Sequence, residues 1–458
     1  MSDPNQPATP TTDWQRLSEG DVNQSDERQR FLATRVGEHN QHWLERDAEV
    51  FMHQSLSTPC LSTLESAHGI YLTDVDGRRY IDFHGNSVHQ LGYGHPAIIQ
   101  AATQAMSTLP FSPRRFTNRY TIELAEQLSA LTQGQLSRVL FAPGGTSAIG
   151  MALKVAQLYT HKHQTLSLWE SFHGASLDAI AIGGEQLFRA GLGPFPDAHH
   201  VPPCDPQDCG YRCQTRCTGQ CADAVAAALE RHPQIGAVII ETIRCTDVQI
   251  PPKEYYQKIR QSCDRHGALL ILDEIPIGLG RTGKMFAFEH YGIVPDMLVL
   301  GKGLGGGLWP MAALLAHARL NIGQNTAIGH YTHEKSSVGS AIALATLKVI
   351  ADDNLCERAV VIGEQISLHL KAVSLPWQLQ VRAIGALVGI EITHRDGRKA
   401  FAIAEKVLYR CLSTGLSFKI GQGNVLTLVP PLTISDSELT DALTILINAL
   451  EWVAERYQ

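Results

Sequence analysis

Two short apolar segments each end beside a residue that can carry charge. Residues 268–272 (Ala-Leu-Leu-Ile-Leu) run directly into Asp273, and residues 297–300 (Met-Leu-Val-Leu) run into Gly301 and Lys302. Unbroken apolar runs of this length, bounded by turn residues, predict strands of a sheet that is buried on both faces. Ligands of open parallel sheets bind at the carboxyl ends of the strands. We therefore expect Asp273 and Lys302 to lie at the functional edge of such a sheet.

The two charged residues could have structural roles alone, with Asp273 capping a helix and Lys302 exposed on a loop. Five glycines between positions 301 and 307 flank the lysine, and they favour a functional role because they let the backbone pass close to a flat ligand. Pyridoxal phosphate (PLP) needs both groups: a lysine amine that bonds to it and a carboxylate that keeps its ring nitrogen protonated. The pair predicts a PLP site in which Lys302 and Asp273 are catalytic.

The surrounding sequence resembles the class III aminotransferase family of PLP enzymes. The resemblance rests on residues 273–283 (Asp-Glu-Ile-Pro-Ile-Gly-Leu-Gly-Arg-Thr-Gly), Asp296 and Gly301-Lys302-Gly303, and it extends from about residue 69 to the C-terminus. It implies an α/β protein of PLP-dependent transferase fold type I, with a large domain built on a mostly parallel seven-stranded sheet and a smaller α+β domain. It also implies a homodimer whose active sites are shared between the chains.

The composition is that of an ordinary globular protein. The chain has 458 residues, of which 44% are hydrophobic and 18% charged, which is enough for two or three domains. A net charge of −7 offers no basic excess for nucleic acid. We see neither an apolar run of roughly 20 residues that could span a bilayer nor a secretory signal. Ten cysteines in a chain of this length favour reduced thiols, so we expect a cytoplasmic enzyme.

The chain divides into four expected segments. Residues 1–30 are polar and rich in Pro, Thr and Gln, which predicts a mobile tail. Residues 31–85, with a hairpin turning at Asp76-Gly77, are assigned to the N-terminal part of the small domain. Residues 86–345 are assigned to the large PLP-binding domain and residues 346–458 to the C-terminal part of the small domain.

A glycine turn leading into a helix predicts the phosphate site. Residues 139–150 (Val-Leu-Phe-Ala-Pro-Gly-Gly-Thr-Ser-Ala-Ile-Gly) pass from a strand through glycines into a helix. The free N–H groups at a helix N-terminus attract anions, so Gly145, Thr146 and Ser147 are expected to hold the cofactor phosphate. The family usually has Glu at the position of Ser147.

The resemblance implies four further cofactor contacts. Phe172 would stack on the pyridine ring with His173 nearby, although Phe172 could instead only fill the core. Glu241, near the end of an apolar run, matches a family glutamate. Thr332 matches a threonine that donates to the cofactor phosphate across the dimer interface.

Three arginines and one loop are candidates for binding the substrate. Arg114 and Arg115 lie in a loop that is either solvated or an anion clamp, because the guanidinium fork matches phosphonate or carboxylate oxygens. Arg244 is unusual for the family at its position. The resemblance places Asn86 and His89 at the mouth of the active site. Their loop holds three histidines but no fixed ligand spacing, which argues against a metal there.

A cysteine-rich insertion interrupts the family pattern. Five cysteines lie within residues 201–221: Cys204, Cys209, Cys213, Cys217 and Cys221. Structural zinc sites usually show paired C-x₂₋₄-C knuckles, so a bound metal and free or disulfide-linked thiols both remain open. We expect no catalytic role for this insertion and no metal in the active site.

Departures from the family pattern favour elimination over transamination. Thr427 stands where many members have an arginine that binds an α-carboxylate, and Pro276 replaces a common glutamine. These features resemble a branch of ammonia-lyases acting on hydroxy-amino-phosphonates, in which Lys302 would take a proton from the amine-bearing carbon. The alternative is an ω-aminotransferase that moves an amino group from a primary amine to a keto acid. A non-catalytic PLP-fold protein is disfavoured by the intact Lys302 and Asp273.

Overall fold

The computed structural model describes residues 25–54, 60–193, 195, 197–205 and 217–457. The helices in these ranges are α1 (Asp26–Arg35), α2 (Glu38–Val50), α3 (Pro96–Thr108), α4 (Arg119–Leu131), α5 (Gly145–Thr160), α6 (Leu177–Ile182), α7 (Gln186–Arg189), α8 (Ala222–Arg231), α9 (Lys253–His266), α10 (Ser337–Asp352), α11 (Leu355–Lys371), α12 (Phe401–Ser413) and α13 (Asp436–Arg456). The strands are β1 (Leu64–His68), β2 (Tyr71–Asp74), β3 (Arg79–Asp82), β4 (Arg138–Ala142), β5 (Gln164–Leu168), β6 (Ala198–Val201), β7 (Ile235–Glu241), β8 (Leu269–Asp273), β9 (Met297–Leu300), β10 (Ala312–Ala316), β11 (Gln378–Ile384), β12 (Leu387–Thr393), β13 (Leu416–Ser417), β14 (Lys419–Gly421) and β15 (Val425–Leu428). Short 3₁₀ helices span Gly85–Ser87, Ala287–Tyr291, Lys302–Gly305 and Ala318–Leu320.

A seven-stranded sheet in the order β4-β10-β9-β8-β7-β5-β6 forms the centre of the large domain. Strands β5 to β9 pair in parallel, whereas β10 is antiparallel to both of its neighbours. The predicted α/β architecture with a mostly parallel seven-stranded sheet is confirmed. Every residue of β7, β8 and β9 is buried, as expected for parallel strands with both faces covered.

The core lies on both faces of this sheet because successive side chains of a strand point to opposite sides. Ile239, Ile271 and Val299 pack with Met151 of α5 in one cluster. Their chain neighbours Ile240, Leu272 and Leu300 belong to a second, larger cluster. The strands are therefore fixed from two sides, and their ends hold side chains in defined positions.

Three adjacent strands bring charged residues to one edge of the sheet. Glu241, the last residue of β7, pairs with Asp273, the last residue of β8. Asp273 in turn pairs with Val299 of β9, and Lys302 follows the end of β9 by two residues. Because the strands are parallel, these three side chains share the carboxyl edge predicted from the apolar runs.

Two smaller sheets come from the ends of the chain. The predicted hairpin at Asp76-Gly77 is confirmed as β2 and β3, and β13 pairs in parallel with β3. An N-terminal and a C-terminal segment thus share the sheet β1-β2-β3-β13, and the second sheet has the order β11-β12-β15-β14. The boundaries proposed from the sequence between the large and small domains remain a prediction.

Helix α1 begins earlier than the sequence suggested. The expected tail boundary at residue 30 is wrong for residues 26–30, which are helical. The Ser25 hydroxyl caps this helix by accepting from the backbone N–H of Arg28 at 3.1 Å, and Glu27 forms a salt bridge with Lys406 of α12 at 2.5 Å. Residues 1–24 lie outside the described residues.

None of the helices in the described part of the chain combines the length and the apolar composition that crossing a bilayer requires.

Candidate active site

A cavity of about 440 Å³ opens at the edge of the central sheet where Asp273 and Lys302 lie. Its lining comes from the start of α5, from residues 172–174 after β5, from the ends of β7 and β8, from residues 302–311 and from Lys419 of β14. A concave site of this size suits a small ligand. Both residues predicted to be catalytic line it.

Asp273 is held rigidly at the base of the cavity. It is 2% exposed, its Oδ2 accepts a hydrogen bond from His173 Nδ1 at 2.8 Å, and its Oδ1 accepts one from the backbone N–H of Ile275 at 3.0 Å. The second ring nitrogen of His173 lies 3.3 Å from the Ser167 hydroxyl, which fixes the imidazole in turn. A buried carboxylate is stable only when paired, so this one suits a cationic ligand atom.

Lys302 adopts a backbone conformation that is unusual for a lysine. Its φ of +44° lies in the left-handed region, which costs a non-glycine residue on the order of 1–3 kcal/mol and is concentrated at functional sites. The next residue is tightly packed, since a Cβ on Gly303 would lie 2.6 Å from Gln90 Oε1 and would displace that side chain. The Gln90 amide donates to the Gly278 carbonyl at 2.9 Å. The strained backbone at Lys302 therefore sets the direction of the lysine side chain.

The start of α5 has the properties of a phosphate site. Gly144 is the N-cap and provides no side-chain hydrogen bond, and the first turn contains no acidic residue. The N–H groups and the helix dipole are thus available to an anion. A Cβ on Gly145 would lie 2.7 Å from Ile275 Cδ1, and one on Gly174, whose φ is +131°, would collide with the Thr146 side chain. Glycine at position 174 therefore allows the backbone there to lie directly against the Thr146 side chain.

Glu241 positions the aromatic wall of the cavity. Its carboxylate accepts from the backbone N–H groups of Phe172 at 3.1 Å and Cys245 at 3.3 Å. Burial raises the pKa of Glu241, and the neighbouring Asp273 adds to this effect. The Phe172 ring lies 4.7 Å from that of Phe188 and lines the cavity.

These features together fit the cofactor that the sequence predicts. PLP requires a lysine amine, a carboxylate for its ring nitrogen, an apolar or aromatic face and an anion site for its phosphate. Lys302, Asp273, Phe172 and the start of α5 supply these groups around one cavity.

Other predicted site residues lie outside this lining. Ser147 follows Thr146 on α5 but does not line the cavity. Asn86 is exposed, and His89 is fully buried, with its Nε2 lying 3.0 Å from the backbone oxygen of Asp82. Burial lowers the pKa of His89. The residue of this loop that lines the cavity is Val88.

Arg114 and Arg115 line a different cavity, of about 760 Å³, together with His330 and Glu334. Thr332 is exposed in the same segment. The two segments are tied by a hydrogen bond of 3.1 Å from the Asn118 side chain to the Lys335 carbonyl. Within one chain, the arginines and Thr332 therefore do not reach the site that contains Lys302.

The Arg244 guanidinium forms ion pairs with two carboxylates. Its Nε donates to Asp247 at 2.7 Å and its Nη1 to Glu170 at 2.8 Å. Burial opposes its charge, but Asp247 and Glu170 outweigh that effect and raise the pKa of Arg244 above its ordinary value. It lines a third cavity with these partners, so the structure does not bring it to the cavity of Lys302.

Sequence reasoning missed Lys419 and Thr246, which both line the cavity. Thr246 lies beyond the end of β7, and no family motif marks Lys419. Within the cysteine insertion, the sulfurs of Cys204 and Cys217 lie 3.9 Å apart, while Cys209 and Cys213 fall outside the described residues. No cluster of three or more His, Cys, Asp or Glu side chains in the described ranges could hold a metal ion.

Comparison with known proteins identifies the family to which this fold and this site belong. Residues 52–450 match the model of the aminotransferase class-III family, and the chain belongs to this family. The predicted family is confirmed, and with it the cofactor class, since PLP is the cofactor of class III aminotransferases.

Individual proteins with a known activity or a solved structure are similar to this chain over most of its length. The chain is 46% identical, over 96% of its own length and 96% of the relative's, to the (R)-1-hydroxy-2-aminoethylphosphonate ammonia-lyase of Vibrio splendidus (strain 12B01). Among solved structures, a transaminase from the marine bacterium Virgibacillus superposes with a TM-score of 0.84 at 25% identity, covering 91% of this chain and 100% of that one. The ornithine aminotransferase from Toxoplasma gondii, described with partial occupancy of PLP at its active site, gives 0.80 at 25% identity over 91% and 95%.

Proposed function

We propose that this protein is a PLP-dependent ammonia-lyase that acts on (R)-1-hydroxy-2-aminoethylphosphonate or a closely similar hydroxy-amino-phosphonate. The observation that carries the proposal is the 46% identity to an ammonia-lyase of that name over 96% of both chains. The departure at Thr427 supports it. A threonine cannot pair with a carboxylate in the bidentate way of arginine, so the site lacks at this position a ligand for the keto acid that a transaminase cycle requires.

The reaction balances without a second substrate. The amine-bearing carbon loses a proton and the adjacent carbon loses hydroxide, which leaves an unsaturated amine. Addition of water to its imine form then releases ammonia and leaves phosphonoacetaldehyde. The water lost in the first stage is regained in the second, so the net change is the loss of ammonia alone.

Different residues of the cavity have different roles in this reaction. When bound, PLP supplies an electrophilic carbon for the substrate amine and a ring that accepts the electron pair of the broken C–H bond. The Lys302 amine is the base that takes the proton from the amine-bearing carbon. The resulting ammonium can return that proton to the departing hydroxyl. The charge of Asp273 holds a proton on the ring nitrogen, while His173 and the N–H of Ile275 hold its oxygens in place.

We further propose a cytoplasmic homodimer with shared active sites. Phe111 and Phe116, which flank the two arginines, are 40% and 66% exposed. Exposed apolar side chains that lie together on a surface can mark a protein–protein interface. In a shared site, the partner subunit's Thr332 would reach the phosphate. None of the eight cysteines in the described ranges forms a disulfide, as is usual for proteins of a reducing compartment.

The substrate-binding role of Arg114 and Arg115 belongs to this dimer proposal. In a mixture of a Lys302→Ala chain and an Arg114→Ala/Arg115→Ala chain, each hybrid dimer contains one site with an intact lysine and intact partner arginines. Activity in the mixture, from two chains that are each inactive alone, supports the shared site. Mixtures no more active than the separate chains would argue against it.

Ammonia release from a panel of amino-phosphonates, measured with no keto acid present, tests the proposed function. We expect stoichiometric ammonia and phosphonoacetaldehyde from the hydroxy-amino-phosphonate, and neither product from the Lys302→Ala variant. If the purified protein releases no ammonia but converts pyruvate to alanine with a primary amine as donor, the lyase proposal is wrong and the ω-aminotransferase alternative takes its place.

A further inference from the structure

We propose that Lys419 binds the phosphonate group of the substrate. This inference rests on the proposed function, because it assigns the anionic part of that substrate to a residue. Lys419 is half-buried at the start of β14 and lines the same cavity as Lys302 and Asp273.

The register of the small sheet places Lys419 directly across from Thr427. The two residues are paired in the antiparallel ladder between β14 and β15. Side chains of directly opposed residues lie on the same face of a sheet, with Cβ atoms about 4.5–5.5 Å apart. Lys419 thus offers a cation next to the position at which many members of the family carry their carboxylate-binding arginine.

The face that carries Lys419 packs against the cavity wall. The Thr427 hydroxyl on this face donates to the Thr246 carbonyl at 2.8 Å. Gly421, two residues after Lys419 and therefore on the same face, lies so close to Thr246 that a Cβ would collide with its carbonyl. Thr246 itself lines the cavity. The sheet is therefore in direct contact with the wall, and Lys419 lies where the two meet.

The cavity contains few other positive charges. Among the described residues that line it, Lys302 and Lys419 are the lysines, and none is an arginine. Lys302 is required for the cofactor and for proton transfer. Arg114, Arg115 and Arg244 lie outside the lining of this chain. A phosphonate dianion in a closed site needs a compensating cation, and among the described residues Lys419 lines the cavity with a positive charge that the cofactor chemistry does not use.

The pairing also explains why threonine suits position 427. Like charges at directly opposed positions of a sheet destabilise it, so an arginine at 427 would compete with Lys419 for the same space and charge. In this chain the cation lies on β14, and its partner position on β15 is a threonine. A lysine ammonium is a compact point charge, which can lie against a tetrahedral anion without the planar bidentate geometry of a carboxylate pair.

The test compares two binding measurements on the PLP-loaded protein. The first is kcat/KM for ammonia release from the hydroxy-amino-phosphonate. The second is calorimetric binding of 2-hydroxyethylphosphonate, which has the anionic group but no amine and cannot react. The variants are Lys419→Met, which keeps length but removes charge, and Lys419→Arg, which keeps charge. Lys348→Met is the matched control, because Lys348 is an exposed lysine of α10, 73% accessible, paired with Asp352.

We expect Lys419→Met to lower kcat/KM by about 30-fold or more, mostly through KM, and to weaken binding of 2-hydroxyethylphosphonate by a similar factor, as for truncation of one partner of a partly buried charge pair. Lys419→Arg should retain both within about fivefold, since it preserves the charge. Lys348→Met should match the unmodified protein, and PLP content should be unchanged throughout. Lys419→Gln serves as a second neutral variant if Lys419→Met does not fold.

The outcomes separate the two proposals. If the unmodified protein releases ammonia but the neutral variants keep its kcat/KM and its phosphonate affinity, the assignment of Lys419 is wrong and the lyase function stands. If no ammonia is released but 2-hydroxyethylphosphonate binds in a manner that depends on Lys419, the lyase function is wrong and Lys419 remains the anion ligand. If the unmodified protein neither reacts nor binds, both proposals fall.

Discussion

Replacing Asp273 with asparagine removes a charge from the base of the cavity and leaves its shape. The aspartate oxygens accept from two donors, His173 Nδ1 at 2.8 Å and the N–H of Ile275 at 3.0 Å. An asparagine has one oxygen, so its NH₂ group must face one of these donors. The variant therefore loses the negative charge that would face the ring nitrogen of bound PLP, and it also loses one of the two bonds that orient the side chain.

The expected cost follows from these two losses. A charge-assisted hydrogen bond contributes about 1.5–3 kcal/mol, against about 0.5–1.5 kcal/mol for a neutral one. Preorganised charges in a site from which water is excluded are worth about 3–4 kcal/mol each in the transition state. Asp273 is 2% exposed, so little solvent screening reduces this value. We expect kcat to fall by about 10²–10⁴-fold, equivalent to about 3–5 kcal/mol.

The assay is ammonia release at saturating substrate, together with exchange of the proton on the amine-bearing carbon with solvent deuterium. Exchange should slow as much as kcat, because the charge acts on removal of that proton. PLP content should remain close to that of the unmodified protein. Asp352→Asn is the control, since it makes the same charge change at an exposed end of α10. Near-normal kcat in an Asp273→Asn protein that retains its PLP would refute the reasoning.

Three further changes test other contacts of the described structure. Lys302→Ala should abolish turnover, and borohydride reduction of the PLP-loaded protein should label Lys302; labelling of a different lysine contradicts the assignment. Thr427→Val removes the buried donor to the Thr246 carbonyl and should lower the free energy of unfolding by about 1–3 kcal/mol in urea denaturation, whereas the exposed Thr444→Val should have little effect. Burial raises the pKa of Glu274 from 4.5 to about 7, so between these values the native state binds more protons than the unfolded state and stability falls as pH rises. Glu274→Gln should remove that slope, and an unchanged slope in stability measured from pH 4.5 to 7 would count against it.

The strand ends were predictable because their signal is local. The apolar runs before Asp273 and Lys302 specify buried strands regardless of the rest of the chain, and parallel pairing then brings their ends together. The glycines before Thr146 likewise specify a helix start that is open to an anion. Each of these inferences needed only the residues within about one strand or one helical turn.

The candidate cations were harder to predict because a residue type does not reveal its partners. Arg244 has a carboxylate three residues later, Asp247, and this spacing was a usable local signal for the ion pair that the structure contains. Its second partner, Glu170, is distant in sequence and was not predictable. The position of Lys419 depends on contact between the small sheet and the segment after β7, for which the sequence has no local signal.

The cavity combines two sheets with different tasks. The edge of the central sheet supplies Asp273 and Lys302, whose positions are fixed by burial on both faces of β8 and β9. The small sheet supplies Lys419, whose ladder partner Thr427 is hydrogen-bonded to the Thr246 carbonyl of the cavity wall. Under the proposed assignment of Lys419, a substitution at this position changes the charge presented to the substrate without moving Asp273 or Lys302. On this proposal, the anion-binding residue and the pair Lys302 and Asp273 belong to different sheets, so the first can be substituted while the second stays in place.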